Sequence, residues 1–183
     1  DMAWEAALRA VPQGPRQHLH RQWAALLQDE VGALPASVAT HWEQGQAWSQ
    51  AGRSWQAAAL AARLAGRLAE QTTLFERAAE CHRKANEPGA RCDALIARLE
   101  GLHLSHGAAA VLAALPEADA LADTTVRQMR SRVARAEALL DQGQASAAAD
   151  QARLVLGQAD GHPILQVEAQ AQLAIALAQL GEA

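Results

Sequence analysis

The stretch that decides the fold reads Trp42-Glu-Gln-Gly45-Gln-Ala-Trp48-Ser-Gln-Ala-Gly52, in which apolar residues at helical spacing lead to a glycine. Three later stretches share this pattern: Cys81–Gly89, Ala136–Gly143 and Ala174–Gly181. The final glycines of the first two stretches are 37 residues apart, and those of the last two are 38 apart. A helix pair that recurs at such a spacing predicts a stack of antiparallel helix pairs, each packed on its neighbours.

Composition favours the same interpretation. Half of the 183 residues are hydrophobic, but only 3% are aromatic, and alanine alone accounts for 47 residues. Alanine is the strongest helix former and β-branched residues are scarce, so the sequence predicts an all-α chain. Because each alanine contact buries little area, we expect stability to come from many helix contacts in series.

The glycines and prolines set the expected element boundaries. We expect Gly52 to end a helix in the left-handed conformation, and Gly89, Gly143 and Gly181 to mark the other helix turns. Thr72 or Thr73 is expected to cap a helix, and Asp123-Thr-Thr to form a loop or a cap. The 54 residues from Gly89 to Gly143 exceed one repeat, which predicts an irregular insertion near 105–125. The expected domains are an N-terminal helical adaptor over 1–33 and repeats over 34–183. The expected helices are Trp4–Ala10, Pro15–Glu30, Pro35–Gln50, Arg53–Glu70, 72–86, 89–104, Gly107–Leu115, 126–140, 145–158 and Pro163–Leu180.

Charge argues against direct binding of nucleic acid. The net charge is −4, and the cations are 15 Arg and the single Lys84. The short run from Arg127 to Arg135 surrounds most of a helix, so we interpret it as a solvated helix surface rather than a phosphate-binding stripe.

The cysteines, the hydropathy and the chain ends predict where the protein is located and whether the sequence is a piece of a longer one. Cys81 and Cys92 lack a metal-binding spacing and are expected to be unpaired, partly buried thiols. With no signal peptide and no long apolar run, a cytoplasmic protein without membrane contact is expected. The first residues and the end within a repeat suggest a piece of a longer protein.

No motif predicts catalysis, a metal or a cofactor. The chain lacks a phosphate-binding G-x-x-x-x-G-K-[ST] loop, G-x-S-x-G, H-E-x-x-H and C-x-x-C. His103 and His106 could share a metal, but no ligand lies at suitable spacing, so solvated histidines are expected. His18 and His20 face different ways on a helix. His41 is expected to be a hydrogen-bonded histidine between helices.

Four tryptophans fall within 33 residues: Trp23, Trp42, Trp48 and Trp55. One interpretation is a packed aromatic core that joins the N-terminal helices to the first repeat. The alternative is that one of them, Trp42 by preference, lines a ligand groove, because Trp is enriched at binding hot spots.

The helix pairs resemble the tetratricopeptide repeat. A small residue inside the first helix, a large one three positions later and a small residue near the start of the second helix recur. The three sets are Gly45, Ala136 and Ala174; Trp48, Leu139 and Leu177; Ala58, Ala94 and Ala148. The spacing exceeds the family's repeat of about 34 residues, and its repeat-end proline is absent. The resemblance implies a right-handed superhelix that binds partners on its concave face.

Residues 14–100 resemble a more specific arrangement. They run Arg16-Gln-His-Leu-His20-Arg21, then Ala39-Thr-His41-Trp42, then Ala51-Gly52-Arg-Ser-Trp55. This order is similar to large ATP-binding bacterial transcriptional activators of the signal-transduction ATPase class. The resemblance implies a non-enzymatic sensor arm that binds a protein partner or a small effector and contacts the ATPase and DNA-binding domains of the same polypeptide. The alternative is a stand-alone tetratricopeptide scaffold that binds peptide segments of a partner.

The concave positions implied by the repeat family are the candidate binding residues. Among them, Arg83, Asn86 and Arg130 could hold a carboxylate or a peptide terminus by charge-assisted hydrogen bonds. Ordinary solvated helix faces would look the same in sequence. The full set is Trp42, Gln46, Ser49, Glu76, Arg83, Asn86, Arg130, Val133 and Glu137.

Overall fold

The computed structural model describes residues 12–181, and within this range it is all-helical, without a strand. The prediction of an all-α fold is therefore confirmed. The expected helix Trp4–Ala10 lies outside the described residues. The helices of the described range are α1 Gln13–Gln28, α2 Pro35–Gln44, α3 Trp48–Leu64, α4 Leu68–Lys84, α5 Pro88–His106, α6 Ala108–Asp119, α7 Thr125–Asp141, α8 Ala145–Leu156 and α9 Pro163–Leu180.

Four turns between helices are built in one way. In the first, the amide of Gln46 donates to the Glu43 carbonyl at 2.9 Å, and the amide of Ala47 donates to the Trp42 carbonyl at 2.9 Å. This pair of bonds is a Schellman motif, which needs a left-handed residue after the helix. The left-handed residues of the four turns are Gln46, Gly66, Asn86 and Gly143.

Each of these turns leaves three residues between helices. The turns at Gln46, Gly66 and Gly143 lie within one unit and join helices that pack on each other. The residue after the left-handed one already accepts the first hydrogen bond of the next helix, as the Ala47 carbonyl does from the Ala51 amide at 2.9 Å. The first three left-handed residues follow one another at intervals of 20 residues. From α2 to α4 the turn therefore follows every helix, and not every second helix.

The prediction that Gly52 and Gly89 end helices is wrong. Gly52 lies within α3 and Gly89 lies in the first turn of α5. A Cβ on Gly52 would lie 2.6 Å from the His82 ring, and a Cβ on Gly89 would lie 2.8 Å from the Arg127 guanidinium. Gly52 is therefore required for close packing against a buried ring, whereas the neighbour of Gly89 is the end of a flexible side chain. The expectation is confirmed at Gly143 and at Gly181, where φ is +71° and +75°.

Several predicted boundaries shift because these turns were missed. The helix expected to reach Gln50 ends at Gln44, and the one expected to reach Glu70 ends at Leu64. Thr72 does not cap α4 but lies inside it, and its hydroxyl donates to the Leu68 carbonyl at 3.0 Å. Thr73 donates to the Ala69 carbonyl in the same way, at 3.1 Å.

Farther along the chain, the helix expected to end at Leu115 continues through Pro116 to Asp119. The expected cap in Asp123-Thr-Thr is confirmed, because the Thr124 hydroxyl accepts from the Arg127 amide at 3.3 Å.

By its contacts the chain forms two compact units, one ending at Glu87 and the other beginning at Pro88. In the first unit α1 packs on α2, α2 on α3 and α3 on α4. Its core is mostly fully buried alanine, with Trp55 and Phe75 as the large buried aromatics. Small side chains let the helix backbones approach closely.

In the second unit each helix from α5 to α9 packs on the next, and α7 also contacts α5 and α9. Its core contains Leu99, Val111 and Leu115 in one cluster and Met129 and Val155 in another. The predicted domains 1–33 and 34–183 and the predicted irregularity near 105–125 stay predictions. Within residues 12–181, no helix is long and apolar enough to cross a bilayer.

Candidate functional site

The histidines of the N-terminal sequence pattern meet between α1 and α2. Nδ1 of His20 lies 3.0 Å from Nδ1 of His41, and the ring centroids are 5.3 Å apart. At this distance one ring nitrogen donates and the other accepts, so the neutral rings hold different tautomers. The prediction that His41 is a hydrogen-bonded histidine between helices is confirmed.

Burial lowers the pKa of both histidines, because desolvation penalises their charged forms. The pKa of His20 is lowered further by the positive charge of His41 and by Arg16. The α1–α2 contact is close at Gly45, where a Cβ would lie 2.6 Å from Cγ of Arg21 and 3.2 Å from its backbone nitrogen. Residues of the N-terminal pattern thus form one tight helix contact.

Of the four clustered tryptophans, only Trp55 belongs to the buried core, with 2% of its surface exposed. Its Nε1 donates to Glu43 Oε2 at 2.9 Å. The Arg77 guanidinium lies 3.8 Å above its ring and donates to the same carboxylate oxygen at 2.8 Å. Of the four clustered tryptophans, only Trp55 therefore lies in the aromatic core that the sequence predicted.

The other three tryptophans are partly exposed to solvent. Trp23 is 46% exposed, and Trp48 is half-buried with Lys84 Nζ 4.4 Å above its ring. Trp42 is half-buried, and its Nε1 has no hydrogen-bond partner among the described residues. Trp42 and Trp48 keep the exposed aromatic surface that a partner could contact.

Ser49 belongs to a buried network that the sequence did not predict. Its hydroxyl donates to Glu87 Oε1 at 2.7 Å, and His82 Nδ1 lies 2.8 Å from Glu87 Oε2. These bonds lower the pKa of Glu87, with the Ser49 bond the larger cause. The His82 ring is buried against Gly52, so the one sequence signal for this network was a glycine inside a helix.

This network is not a nucleophile site. In a catalytic triad the hydroxyl bonds to the histidine, which takes its proton, whereas here the Ser49 hydroxyl bonds to the carboxylate. The His82 Nε2 atom is buried and has no partner among the described residues. The arrangement joins the turn after α4 to the start of α3.

The predicted site residues of the first unit lie in different settings. Trp42 is on α2, and the exposed Glu76 and Arg83 are on α4, as expected for first helices of a pair. Arg83 binds the Glu80 carboxylate of its own helix through Nε at 2.6 Å and Nη2 at 2.7 Å. Gln46 and Asn86 are left-handed turn residues and Ser49 is on α3, so these three are not on a first helix.

In the second unit Arg130, Val133 and Glu137 lie on α7, as expected. Arg130 Nη1 donates to Asp93 Oδ1 of α5 at 3.2 Å. Glu137 Oε1 lies 3.7 Å from Nδ1 of His103. The partner-binding role of all the predicted residues stays a prediction.

The interpretation of the arginine run as a merely solvated surface is wrong. Arg127 donates to both Asp93 oxygens, at 2.8 Å and 3.1 Å, and to Asp123 at 2.6 Å. These bonds raise the pKa of Arg127. Arg135 binds Asp119. Most of the run therefore connects α7 to α5 and to the end of α6 by ion pairs.

His103 is not solvated either, because its Nε2 lies 2.7 Å from Asp141 Oδ2 and its side chain is 15% exposed. Among the described residues no three His, Cys, Asp or Glu side chains are grouped to hold a metal ion. Cys81 and Cys92 are unpaired and buried, as predicted, and burial raises the pKa of Cys81 to about 11. A thiol with so high a pKa is a poor nucleophile.

The fold is that of tetratricopeptide-like repeats. The chain is similar to the Q17M crystal structure of a Podosopora anserina protein described as a kinesin light chain with nearly identical TPR-like repeats. The identity is 16%, the TM-score is 0.57, and the match covers 94% of this chain and 90% of that one. No protein-family model matches the chain, and a search of curated proteins found no match.

Proposed function

We propose that this chain is a non-enzymatic module that binds a protein partner through a peptide segment. The observation that carries the proposal is the tetratricopeptide-like stacking of antiparallel helices over nearly the whole chain. Such arrays expose long helix faces whose side chains can vary without loss of the fold. Binding would use half-buried aromatic surface together with charged side chains, the combination found at interface hot spots.

In the first unit the proposed surface consists of Trp42, Glu76 and Arg83. Arg83 is exposed and held by Glu80 in one orientation, so little side-chain entropy would be lost when it binds a carboxylate. In the second unit the proposed surface consists of Arg130, Val133 and Glu137 on α7. Arg130 is likewise oriented by Asp93.

The test combines a peptide-display selection with calorimetric titration of the selected peptide. We expect Arg83→Ala combined with Arg130→Ala to weaken binding by about tenfold or more, the effect of losing charge-assisted hydrogen bonds. The matched control is Arg67→Ala with Arg153→Ala, because each of these exposed arginines also pairs with a carboxylate three residues away. Equal loss of binding in both double variants would contradict the proposed surface.

At a finer level, we propose that the module is the sensor arm of a bacterial transcriptional regulator in the cytoplasm, and that it docks on an ATPase switch domain. The supporting observation is the contact of His20 with His41, since both belong to the pattern shared with that class of regulator. An effector or partner would act only by binding one arrangement of the arm better than the other. The stand-alone peptide-binding scaffold is the alternative.

These two functions differ in what the gene encodes and in what the chain binds. The sensor arm requires a phosphate-binding loop and a winged helix in the same reading frame, and a small effector that raises the melting temperature. A reading frame without these domains would contradict the sensor arm. In that case, binding of a selected peptide would support the stand-alone scaffold.

A further inference from the structure

A cavity of about 300 Å³ opens beside α7 in the second unit. Its lining residues come from the end of α6, the loop after it, α7 and α8. None of its lining residues belongs to the binding surface predicted from the sequence. They are Asp119, Ala122, Gln128, Arg132, Arg135 and Gln151.

Three of these side chains are engaged by the protein itself. Arg135 donates to Asp119, whose carboxylate also accepts from the Ser131 hydroxyl. Gln128 Nε2 donates to the Ala122 carbonyl at 3.1 Å. These bonds hold the loop and the end of α6 against α7, so hydrogen bonds fix this side of the cavity.

Arg132 differs from the arginines around it. Arg127, Arg130 and Arg153 each lie within hydrogen-bond distance of a carboxylate. Arg132 is half-buried in the cavity and makes no hydrogen bond or ion pair with any residue from 12 to 181. A guanidinium carries five N–H donors and no acceptor, so Arg132 has donors available to an added acceptor.

Gln151 faces the same space from α8 and is half-buried. Its amide also makes no hydrogen bond with a described residue. Arg132 and Gln151 thus bring donors from two helices to the lining of one cavity. An anionic oxygen is the acceptor that such donors bind most strongly.

The charge of the lining selects among anions. Arg132 and Arg135 contribute two positive charges and Asp119 one negative charge, so a single negative charge balances the cavity. A phosphate dianion would be repelled by Asp119, and the chain's net charge of −4 disfavours a polyphosphate strand. A carboxylate matches both the charge and the planar fork of the guanidinium.

We propose that this cavity binds the carboxylate of an acidic peptide segment, with Arg132 as the bidentate partner and Gln151 as a second donor. This inference rests on the proposed peptide-binding function and adds a second contact, away from the predicted surface. It identifies the partner segment as one that carries a Glu or Asp side chain, or a chain end, beside the α6–α7 loop.

The test measures fluorescence anisotropy of a short labelled oligoglutamate peptide with the full chain. We expect Arg132→Gln to weaken binding by about tenfold, and Arg132→Lys to have a smaller effect because it keeps the charge but loses the fork. The matched control is Arg153→Gln, which makes the same charge change at an exposed site on α8. It should leave the affinity within about twofold, as expected for an exposed pair.

The outcomes separate this inference from the proposed function. Equal weakening by Arg132→Gln and Arg153→Gln, or no binding of oligoglutamate, would overturn the cavity assignment. If inorganic phosphate displaces the peptide at lower concentration than acetate does, the ligand is a phosphate and the assignment is wrong. Circular dichroism confirms that each variant is folded. A selected peptide that still responds to Arg83→Ala would keep the proposed function while the cavity assignment fails.

Discussion

At the scale of single residues, three glycines matter because of the neighbouring atoms that a Cβ would meet, and not because of their backbone conformation. Gly45, Gly52 and Gly89 each lie where a Cβ would come within 3 Å of another side chain. Gly143 and Gly181 instead adopt positive φ with open space around them. Gly45 and Gly143 look alike in sequence, because each comes at the end of a helix and lies between two glutamines.

This difference predicts the result of alanine substitution. Gly52→Ala should lower the free energy of unfolding by about 1–3 kcal/mol, because the new Cβ would overlap the buried His82 ring. Gly157→Ala is the control, since its Cβ would meet only an ordinary contact at 3.6 Å and φ is −67°. That change should be neutral or stabilise by up to about 1 kcal/mol. Urea unfolding followed by circular dichroism measures both, and similar effects in the two variants would refute the close-contact role of Gly52.

At the scale of the helices, pairs of elements are held by few but specific polar contacts. In the first unit α1 meets α2 through the two histidines, and in the second unit α5 meets α7 through Asp93. In the first unit the buried side chains are mostly alanine. Alanine packing specifies register weakly, so we infer that the histidine contact selects the helix pairing there.

The histidine contact predicts a pH dependence of stability. The pKa of both His20 and His41 is lowered in the folded chain, so the unfolded chain binds protons more readily. Their contribution to stability is present above the unfolded pKa of about 6.5 and is lost as the pH falls through the lowered folded pKa. Chemical unfolding measured at neutral and mildly acidic pH should show this loss.

The double variant His20→Asn with His41→Asn should flatten that pH profile. His18→Asn is the control, because His18 is exposed on the same helix. A profile that stays as steep in the double variant as in the parent chain would show that other groups cause the acid sensitivity.

The contact of α5 with α7 predicts a second effect. Asp93→Asn removes the charge that Arg127 and Arg130 share and should cost about 1 kcal/mol, a value kept low because the carboxylate is 35% exposed. Asp150→Asn is the control, because within residues 12–181 Asp150 pairs only with Arg153 of its own helix. High salt should reduce the difference between the two variants. An equal cost in both would contradict a role of Asp93 in helix pairing.

At the scale of the whole molecule, stability in a stack of helix pairs is a sum of local terms and nearest-neighbour contacts. The chain forms two compact units on either side of Glu87 and Pro88. A local defect should therefore loosen its own unit first.

Hydrogen exchange followed by mass spectrometry tests this expectation. Gly52→Ala should speed amide exchange mainly in α2–α4, and Asp93→Asn mainly in α5–α7. Uniform acceleration along the chain in either variant would instead indicate a single cooperative unit.

Only part of the predicted binding residues lie on the helices expected for them. Trp42, Glu76, Arg83, Arg130 and Glu137 lie on the helices expected from the repeat pattern. Gln46 and Asn86 were misplaced because helix ends were assigned to glycines, whereas the left-handed residues there are a glutamine and an asparagine. The Arg132 cavity was not predicted, since a charge run does not reveal which member lacks a partner.

The sequence by itself determined the helical class, the approximate number of helices and the repeat character. These follow from local propensity and from periodic apolar spacing, which need no knowledge of neighbouring helices. Only the tertiary structure decided which glycines turn the chain, which arginines are paired, and which histidines meet. Those outcomes depend on distances between residues far apart in the chain, because two sites with the same local sequence differ in what packs against them.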